Sequence, residues 1–448
     1  MAERSFPFVP RRSNELLAGD LWSIPLSDGR FACGRVLGHA EPSTTGATVS
    51  FIGGLHDWVA DQPPNGQSIS GAAIRNVGRV HVAAIAAGGG AVVGHRDLNL
   101  DGLECPSTVS NYWGDGYAKA RAEHIFVKGD PPPQSERRDV SSPLTDEMLR
   151  PFRSPMATVQ FQSLLTEADF ARLAEWMSDQ PTVGLRAYGS YDGSITNLEF
   201  LRHFAGLRRF AADALYHSLT ALDGLRHLPD ELDDLVIGQT KTKLDVSIVG
   251  RFKFLTRLYV EGQTKGLASI AELEGLEELT LRSITLPDLS MLLPLGRLRA
   301  LELKLGGTRD LALLPRIGEL LYLELWMVKG LSDISAVGEL TSLRYLFLQS
   351  LRQVVELPDF SGCTALRRIH LETMKGITNL EPLLTARALE ELAVVDGSHL
   401  QPDAFACLQQ HPTLQAVTAG LGSRKKNEAV DKLLGLPPAG SKVPWRSV

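Results

Sequence analysis

Two places in this sequence set imidazole beside carboxylate, at His56-Asp57 and at His95-Arg96-Asp97. From such a pairing a metal site or a general base could be built. Neighbours along a strand face opposite ways, however, so adjacency in sequence does not converge them, and surface or hydrogen-bonded roles are the favoured reading of these histidines. Gly88-Gly89-Gly90-Ala91-Val92-Val93-Gly94 follows an apolar run and invites a nucleotide-binding reading. Its spacing fails, because Val93 stands where the dinucleotide pattern needs glycine and Gly94-His95-Arg96-Asp97 does not open a helix, so a flexible hairpin turn is read instead. No phosphate-loop, zinc-protease or serine-hydrolase motif occurs. The four cysteines, Cys33, Cys105, Cys363 and Cys407, lie far apart with no C-x-x-C, and read as free thiols in a reducing cytoplasm, mostly small core residues. The sequence thus offers no catalytic residue, no metal site and no cofactor, and the chain is read as a non-enzyme.

Composition narrows the partners. The apolar fraction of 44% and charged fraction of 22% are ordinary for a folded protein, and 448 residues allow two or three domains. A net charge of −6 argues against nucleic-acid binding, which needs a basic face. No run of 18 or more apolar residues appears and the opening residues lack a secretory stretch, so the expectation is a cytoplasmic chain without a membrane span. No small-molecule substrate is evident. A protein partner is what remains.

The elements that would present such a surface are set by leucines. Leu276/Leu279/Leu281 are spaced three, then two, and the phrase returns at Leu298/Leu301/Leu303, Leu320/Leu323/Leu325, Leu343/Leu346/Leu348, Leu366/Ile369/Leu371 and Leu389/Leu392/Val394, at steps of 22, 22, 23, 23 and 23 residues. This resembles the leucine-rich repeat of the short bacterial and phosphatase-regulator type. Each unit is too short to bury its own apolar side, so the units must stack into a curved solenoid with one continuous core. The alternating part of each phrase reads as a short strand with leucines inward, and the strands pair in parallel on the concave face. The return path, as in Leu331 to Val337, fits helical or 3₁₀ turns on the convex side. One departure stands out: the inward Asn of the pattern is replaced by Ile284, Gly306, Val328, Leu351, Met374 or Gly397, so the repeat edge must be closed another way.

Weaker copies at Leu207/Phe210/Ala212, Leu232/Leu235/Ile237 and Leu255/Leu258/Val260 extend the array, with strands also read at Val183-Leu185 and Leu414-Val417. Leu164 to Met177 reads as an amphipathic helix begun by Thr166 with Asp169 three residues on, placed over the open end of the core. Gly129 to Asp139, with three prolines, reads as a linker. The expected organisation is a mainly-β domain at 15–130, a Pro-rich linker at 131–155, a solenoid at 156–422 and a C-terminal cap and tail at 423–448. The fold class is an α/β solenoid, a leucine-rich-repeat horseshoe with a parallel concave sheet, plus a small mainly-β N-terminal domain.

In the N-terminal domain, Asp20 to Leu26 and Arg30 to Leu37 flank Ser27-Asp28-Gly29, a hairpin signal, and further strands are read at Thr48 to Ile52, Val80 to Ile85, Ala91 to Gly94 and His124 to Val127, with no helix. Gly19 to Leu37, reading Gly-Asp, then Ile-Pro-Leu, Asp-Gly-Arg and Gly-Arg-Val-Leu, closely resembles the opening of the immunity protein 26 family, and Val92 to Leu98 is similar to its second landmark. Asp20, Trp22, Asp28, Arg30 and Arg35 carry the likeness, though Asp28 is accounted for by the turn and Trp22 by a core position. The resemblance implies protection of a bacterium from its own or a sibling's toxin, by tight binding and without catalysis.

With leucines inward, the outward positions of the repeat strands follow. Tyr322, Trp326, Tyr345 and Phe347 fall together on adjacent strands, with Glu302, Lys304, Glu324, Arg368, His370 and Glu372 around them and Tyr259 and Arg282 further along. Aromatic anchors ringed by charge are the composition of a protein-binding hot spot, and these residues are read as the partner-binding set, exposed on the hollow wall. The competing reading is that the N-terminal domain or a terminal segment folds back and covers them. Function reads first as an immunity protein that neutralises a toxin by binding, and second as a leucine-rich-repeat scaffold without an antitoxin role.

Overall fold

The computed structural model describes residues 4–39, 50–106, 109, 112–114, 116–127, 136–152, 154 and 156–440. The chain divides into two compact units, Met1–Pro133 and Gln134–Val448. The Pro-rich residues 129–135 and the last residues 441–448, read above as linker and tail, lie outside the described residues.

The first unit is a six-stranded sheet in the order β5-β1-β2-β3-β4-β6. Its strands are β1 (Asp20–Pro25), β2 (Phe31–His39), β3 (Ser50–Ala60), β4 (Ile74–His81), β5 (Val92–His95) and β6 (Tyr112–Trp113). All neighbours are antiparallel except β4 and β6. The β1–β2 turn closes with Leu26 N–H donating to the Arg30 carbonyl, and Gly29 at φ +87° takes the left-handed position that Asp-Gly turns need. One face buries Trp22, Ile24, Phe51, Leu55, Val80, Val92 and Trp113. Two segments read as strands are helical. The run from Val80 leaves β4 at His81 and turns into helix α1 (Ala83–Ala87), and His124 to Phe126 belong to helix α2 (Tyr117–Phe126). Short apolar runs do not distinguish the two states by pattern, and here alanines favour the helix.

The second unit is one 13-stranded parallel sheet, each strand paired with the next in chain order. It runs through β7 (Glu136–Asp139), β8 (Ala157–Phe161), β9 (Gly184–Tyr188), β10 (Arg209–Asp213), β11 (Asp234–Ile237), β12 (Arg257–Glu261) and β13 (Glu278–Arg282). It continues through β14 (Ala300–Lys304), β15 (Tyr322–Trp326), β16 (Tyr345–Gln349), β17 (Arg368–Glu372), β18 (Glu391–Val395) and β19 (Ala416–Ala419). Register is continuous, so Leu279, Leu301, Leu323, Leu346, Ile369 and Leu392 lie in one row. These leucines are buried in a single core, and the return paths carry 3₁₀ turns such as Ser335–Glu339.

The repeat edge is closed without asparagine. The residue after each strand from β13 to β18, Ser283, Leu305, Met327, Ser350, Thr373 and Asp396, holds a left-handed φ between 49° and 56°. That bend turns its N–H along the stack: Ser283 donates to the Lys304 carbonyl, Leu305 to Trp326, Met327 to Gln349, Ser350 to Glu372 and Thr373 to Val395, at 2.7–2.9 Å. The position where asparagine was expected is then free to be apolar, and Ile284, Val328, Leu351 and Met374 are buried there.

The ends differ from the reading above. Helix α3 (Glu167–Ser178) has its Thr166 cap, the hydroxyl accepting from Asp169 N–H, and begins past Leu164, which is exposed. It is the crossover between β8 and β9 and does not cover the end of the core. Beyond it the sheet continues to β7, inside the stretch read as linker, and Val140 and Leu144 join the core there. At the other end helix α4 (Arg424–Leu434) packs Val430 into the core, and Lys426 Nζ donates to the Ser398 and Leu400 carbonyls.

Candidate functional site

The wall of the solenoid opposite the leucine core is built from three outward positions per strand. In the first row, Ala300, Tyr322, Tyr345, Arg368 and Glu391 are register partners; in the second, Glu302, Glu324, Phe347, His370 and Ala393; in the third, Lys304, Trp326, Gln349 and Glu372. The placement of all twelve candidate residues on this face follows from the register. Their exposure does not match the reading above. Tyr322, Tyr345 and Phe347 are 2%, 0% and 1% exposed, and with Ala300 they make a small core of their own, separate from the leucines. Glu324 and His370 are buried beside them, whereas Trp326 and the others are partly exposed. Strand register dictates which way a side chain points, but what lies over that face is set by chain elsewhere.

Within the face the groups are tied to one another. Tyr322 and Tyr345 meet edge to face at 5.1 Å, and the Tyr322 hydroxyl donates to Glu324 Oε2 at 2.7 Å. Burial, then the Glu324 charge, raises the Tyr322 phenol far above its ordinary value, so it remains a neutral donor. Lys304 bridges Glu302 at 2.5 Å and Glu324 at 3.3 Å, and Thr280 donates to Glu302. The Arg368 guanidinium sits 5.1 Å from the Tyr345 ring centre, Phe347 lies 4.7 Å from the His370 ring, and Gln349 donates to Glu372. Further along, the Arg282 guanidinium lies over the half-exposed Trp326 ring at 5.1 Å and pairs with Glu261 at 3.1 Å. Tyr259 donates to Glu261, and burial, then that carboxylate, pushes its phenol up to about 12. Such a face can stack, accept and donate hydrogen bonds and pair charge, which is recognition chemistry. Among the described residues no group of three or more His, Cys, Asp or Glu side chains could hold a metal ion, and no helix is long and apolar enough to cross a membrane.

In the first unit, the residues that sequence reading left without roles converge on a buried polar knot. Asp20 is wholly buried and accepts from Arg4, from Leu17 N–H and from His95 Nδ1 at 2.8–2.9 Å. His95 Nε2 lies 3.1 Å from Asp97. The Arg35 side chain, also wholly buried, bonds Asp101 at 2.7 Å and the Arg96 and Asp97 carbonyls. Arg96 holds the same Asp101, and this bond, together with Arg35, keeps the Asp101 carboxyl well below the usual range despite burial. His56 is buried with Nδ1 on the Ala72 carbonyl and does not meet Asp57, whose carboxylate faces Arg75. Gly88 to Gly90 lie in the turn between α1 and β5. The knot joins β1, β2 and the stretch after β5, and neither charged pair was legible because its members are some sixty or more residues apart.

Residues 18–111, about a fifth of the chain, match the family model described as immunity protein 26. No curated protein matches. Among solved structures, an internalin from Listeria monocytogenes aligns at 21% identity over 55% of this chain and 69% of its own, with a TM-score of 0.38. A leucine-rich-repeat protein from Leptospira interrogans aligns at 18% identity over 67% of this chain and 88% of its own, also at 0.38. The landmark residues Asp20, Arg35 and His95 to Asp97 all lie inside the matched span and all enter the knot. Residues 18–111 are thus similar to the immunity protein 26 family, and they precede a parallel solenoid with the leucine-rich-repeat spacing.

Proposed function

We propose that this is a bacterial cytoplasmic immunity protein that binds a protein toxin and neutralises it by occupying the toxin's surface, without catalysis. The observation that carries the reading is the immunity protein 26 match over residues 18–111. The solenoid adds a broad concave wall whose side chains suit a protein partner, with the Arg282–Trp326 stack as its accessible aromatic anchor and Tyr259, Glu302, Lys304 and Glu372 as partly exposed polar neighbours. Solenoid walls built of stacked strands present many side chains to one partner at once.

The test is co-expression with a toxin-domain protein encoded beside this chain's own gene. Rescue of growth and co-purification of the two proteins support the reading; a toxin that stays lethal and unbound overturns it. Arg282→Ala with Trp326→Ala should weaken toxin binding about tenfold or more in a titration, while the melting temperature stays close to that of the parent. Undiminished affinity moves the contact off this part of the wall.

A further inference from the structure

Charge is sorted across the second unit. The chain holds 52 acidic and 46 basic side chains, yet the loops leaving one run of strands carry a single sign. Residues 239–243, 262–265, 283–285, 305–309, 327–330, 350–353 and 373–376 follow β11 to β17 in turn and contain no Asp or Glu. Lys241, Lys265, Arg309, Lys329, Arg352 and Lys375 stand exposed in these loops, and only the loop after β13 lacks a cation. Because the strands stack in register, the six form a line along one edge of the sheet. The Arg309 guanidinium lies where a Cβ on Gly330 would stand, against the loop that carries Lys329. Among the described residues none of the six forms a salt bridge, although Lys265 acts on the Asp245 carboxyl from further away. The loops entering the strands differ: there Arg208, Arg251 and Lys253 close on Asp233, Asp230 and Glu272 at 2.7–2.9 Å. Like charges aligned on neighbouring loops repel one another, so the line is destabilising until an anion lies against it.

We propose that this edge docks an acidic segment of a protein partner, laid along the sheet across the loops after β11 to β17. The inference rests on the reading of the solenoid as a partner-binding unit and names the chemistry the partner offers. Six steps of about 4.8 Å give the line a length of about 29 Å, the span of about nine extended residues. The line is also narrow. On its turn side Asp288, Asp310, Asp333 and Asp359 cap the turns, each accepting an N–H at 2.7–2.9 Å. On its concave side stand Glu261, Glu302 and Glu372. A nucleic-acid duplex or a lipid surface is broader than the line and would press its phosphates onto these carboxylates, whereas a single acidic stretch of chain fits between them. Arg309 and Arg352 add planar guanidinium groups suited to carboxylates. Near its middle the line meets the accessible aromatic anchor: Trp326 ends β15, Met327 beside it is 42% exposed, and Lys329 follows.

Fluorescence anisotropy with a labelled peptide of about fifteen alternating Glu and Ser residues tests this on the full chain, with no toxin present. The peptide should bind at about 50 mM salt, and its affinity should fall about tenfold by about 300 mM. Lys329→Gln with Arg352→Gln and Lys375→Gln should weaken binding about tenfold, and reversing the same three to Glu should abolish it. Both triple variants should keep the parent's melting temperature, since none of the three cations makes a salt bridge. Arg251→Gln with Lys253→Gln, on the other edge, should leave the affinity within about twofold. A parent chain that ignores the peptide, or triple variants that bind it as the parent does, overturn the proposal. So does a thymidine oligonucleotide of equal charge that binds as tightly, which assigns the line to nucleic acid. Growth rescue is read separately: a chain that rescues but ignores the peptide loses only this inference, and one that binds the peptide but does not rescue loses only the toxin reading.

Discussion

Gly34 has room for no side chain. A Cβ there would lie 2.0 Å from the Trp22 ring, which crosses from β1 over the backbone of β2 and is itself buried. Gly34→Ala should therefore lower stability by about 2–3 kcal/mol, through displacement of the indole and strain in the hairpin, and the melting of the first unit followed by calorimetry would show it. A melting temperature within a degree of the parent would mean the indole has another place to go. Trp22 was legible as core because it alternates with Ile24 and Leu26 along β1. The Arg35–Asp101 and Asp20–His95 bonds were not, since polar contacts between distant segments leave no period to read. The same division runs through the candidate surface. The direction of Tyr345 and Phe347 was written in the spacing of their leucine neighbours, and their burial was not.

The repeats from β13 to β18 each end in one bend, and the bend falls on residues poorly suited to it. A non-glycine residue in the left-handed region costs on the order of 1–2 kcal/mol, and the array places Leu305, Met327 and Thr373 there. Met327, at φ +49° and 42% exposed, loses little packing when shortened. Met327→Gly should raise the stability of the solenoid by about 0.5–1 kcal/mol, and Met327→Val, β-branched and worse suited to this φ, should lower it by a similar amount. Urea denaturation would order the three; a glycine variant weaker than the parent would show that the methionine contacts outweigh the bend. The strands were legible because their leucines repeat, and the N-terminal end of α3 because Thr166 and Asp169 form a cap. The short helices α1 and α2 and the strand β7 were not: each is too short, or too bare of apolar residues, for a period to emerge.

Both units carry a histidine held neutral by burial. His56 lies within β3 of the first sheet and His411 near the end of the solenoid, and desolvation lowers both below the ordinary imidazole value, against carbonyl bonds that raise them. The unfolded chain takes up protons near pH 6.5 where the folded chain does not, so stability falls as pH drops from about 6.5 toward the lowered folded values. Calorimetry of the full chain should show both units melting lower at pH 5.5 than at pH 7.5, and His56→Gln should flatten that dependence in the first unit alone; an unchanged slope would remove His56 as its source. The even step of 22–23 residues has a further consequence at this scale. Because every strand stacks on its neighbour in the same register, a stretch of gene copied or lost in whole units leaves each leucine over another leucine. One recombination event could thus lengthen or reshuffle the wall, and the apolar interior would accept the new row as it accepts the old ones.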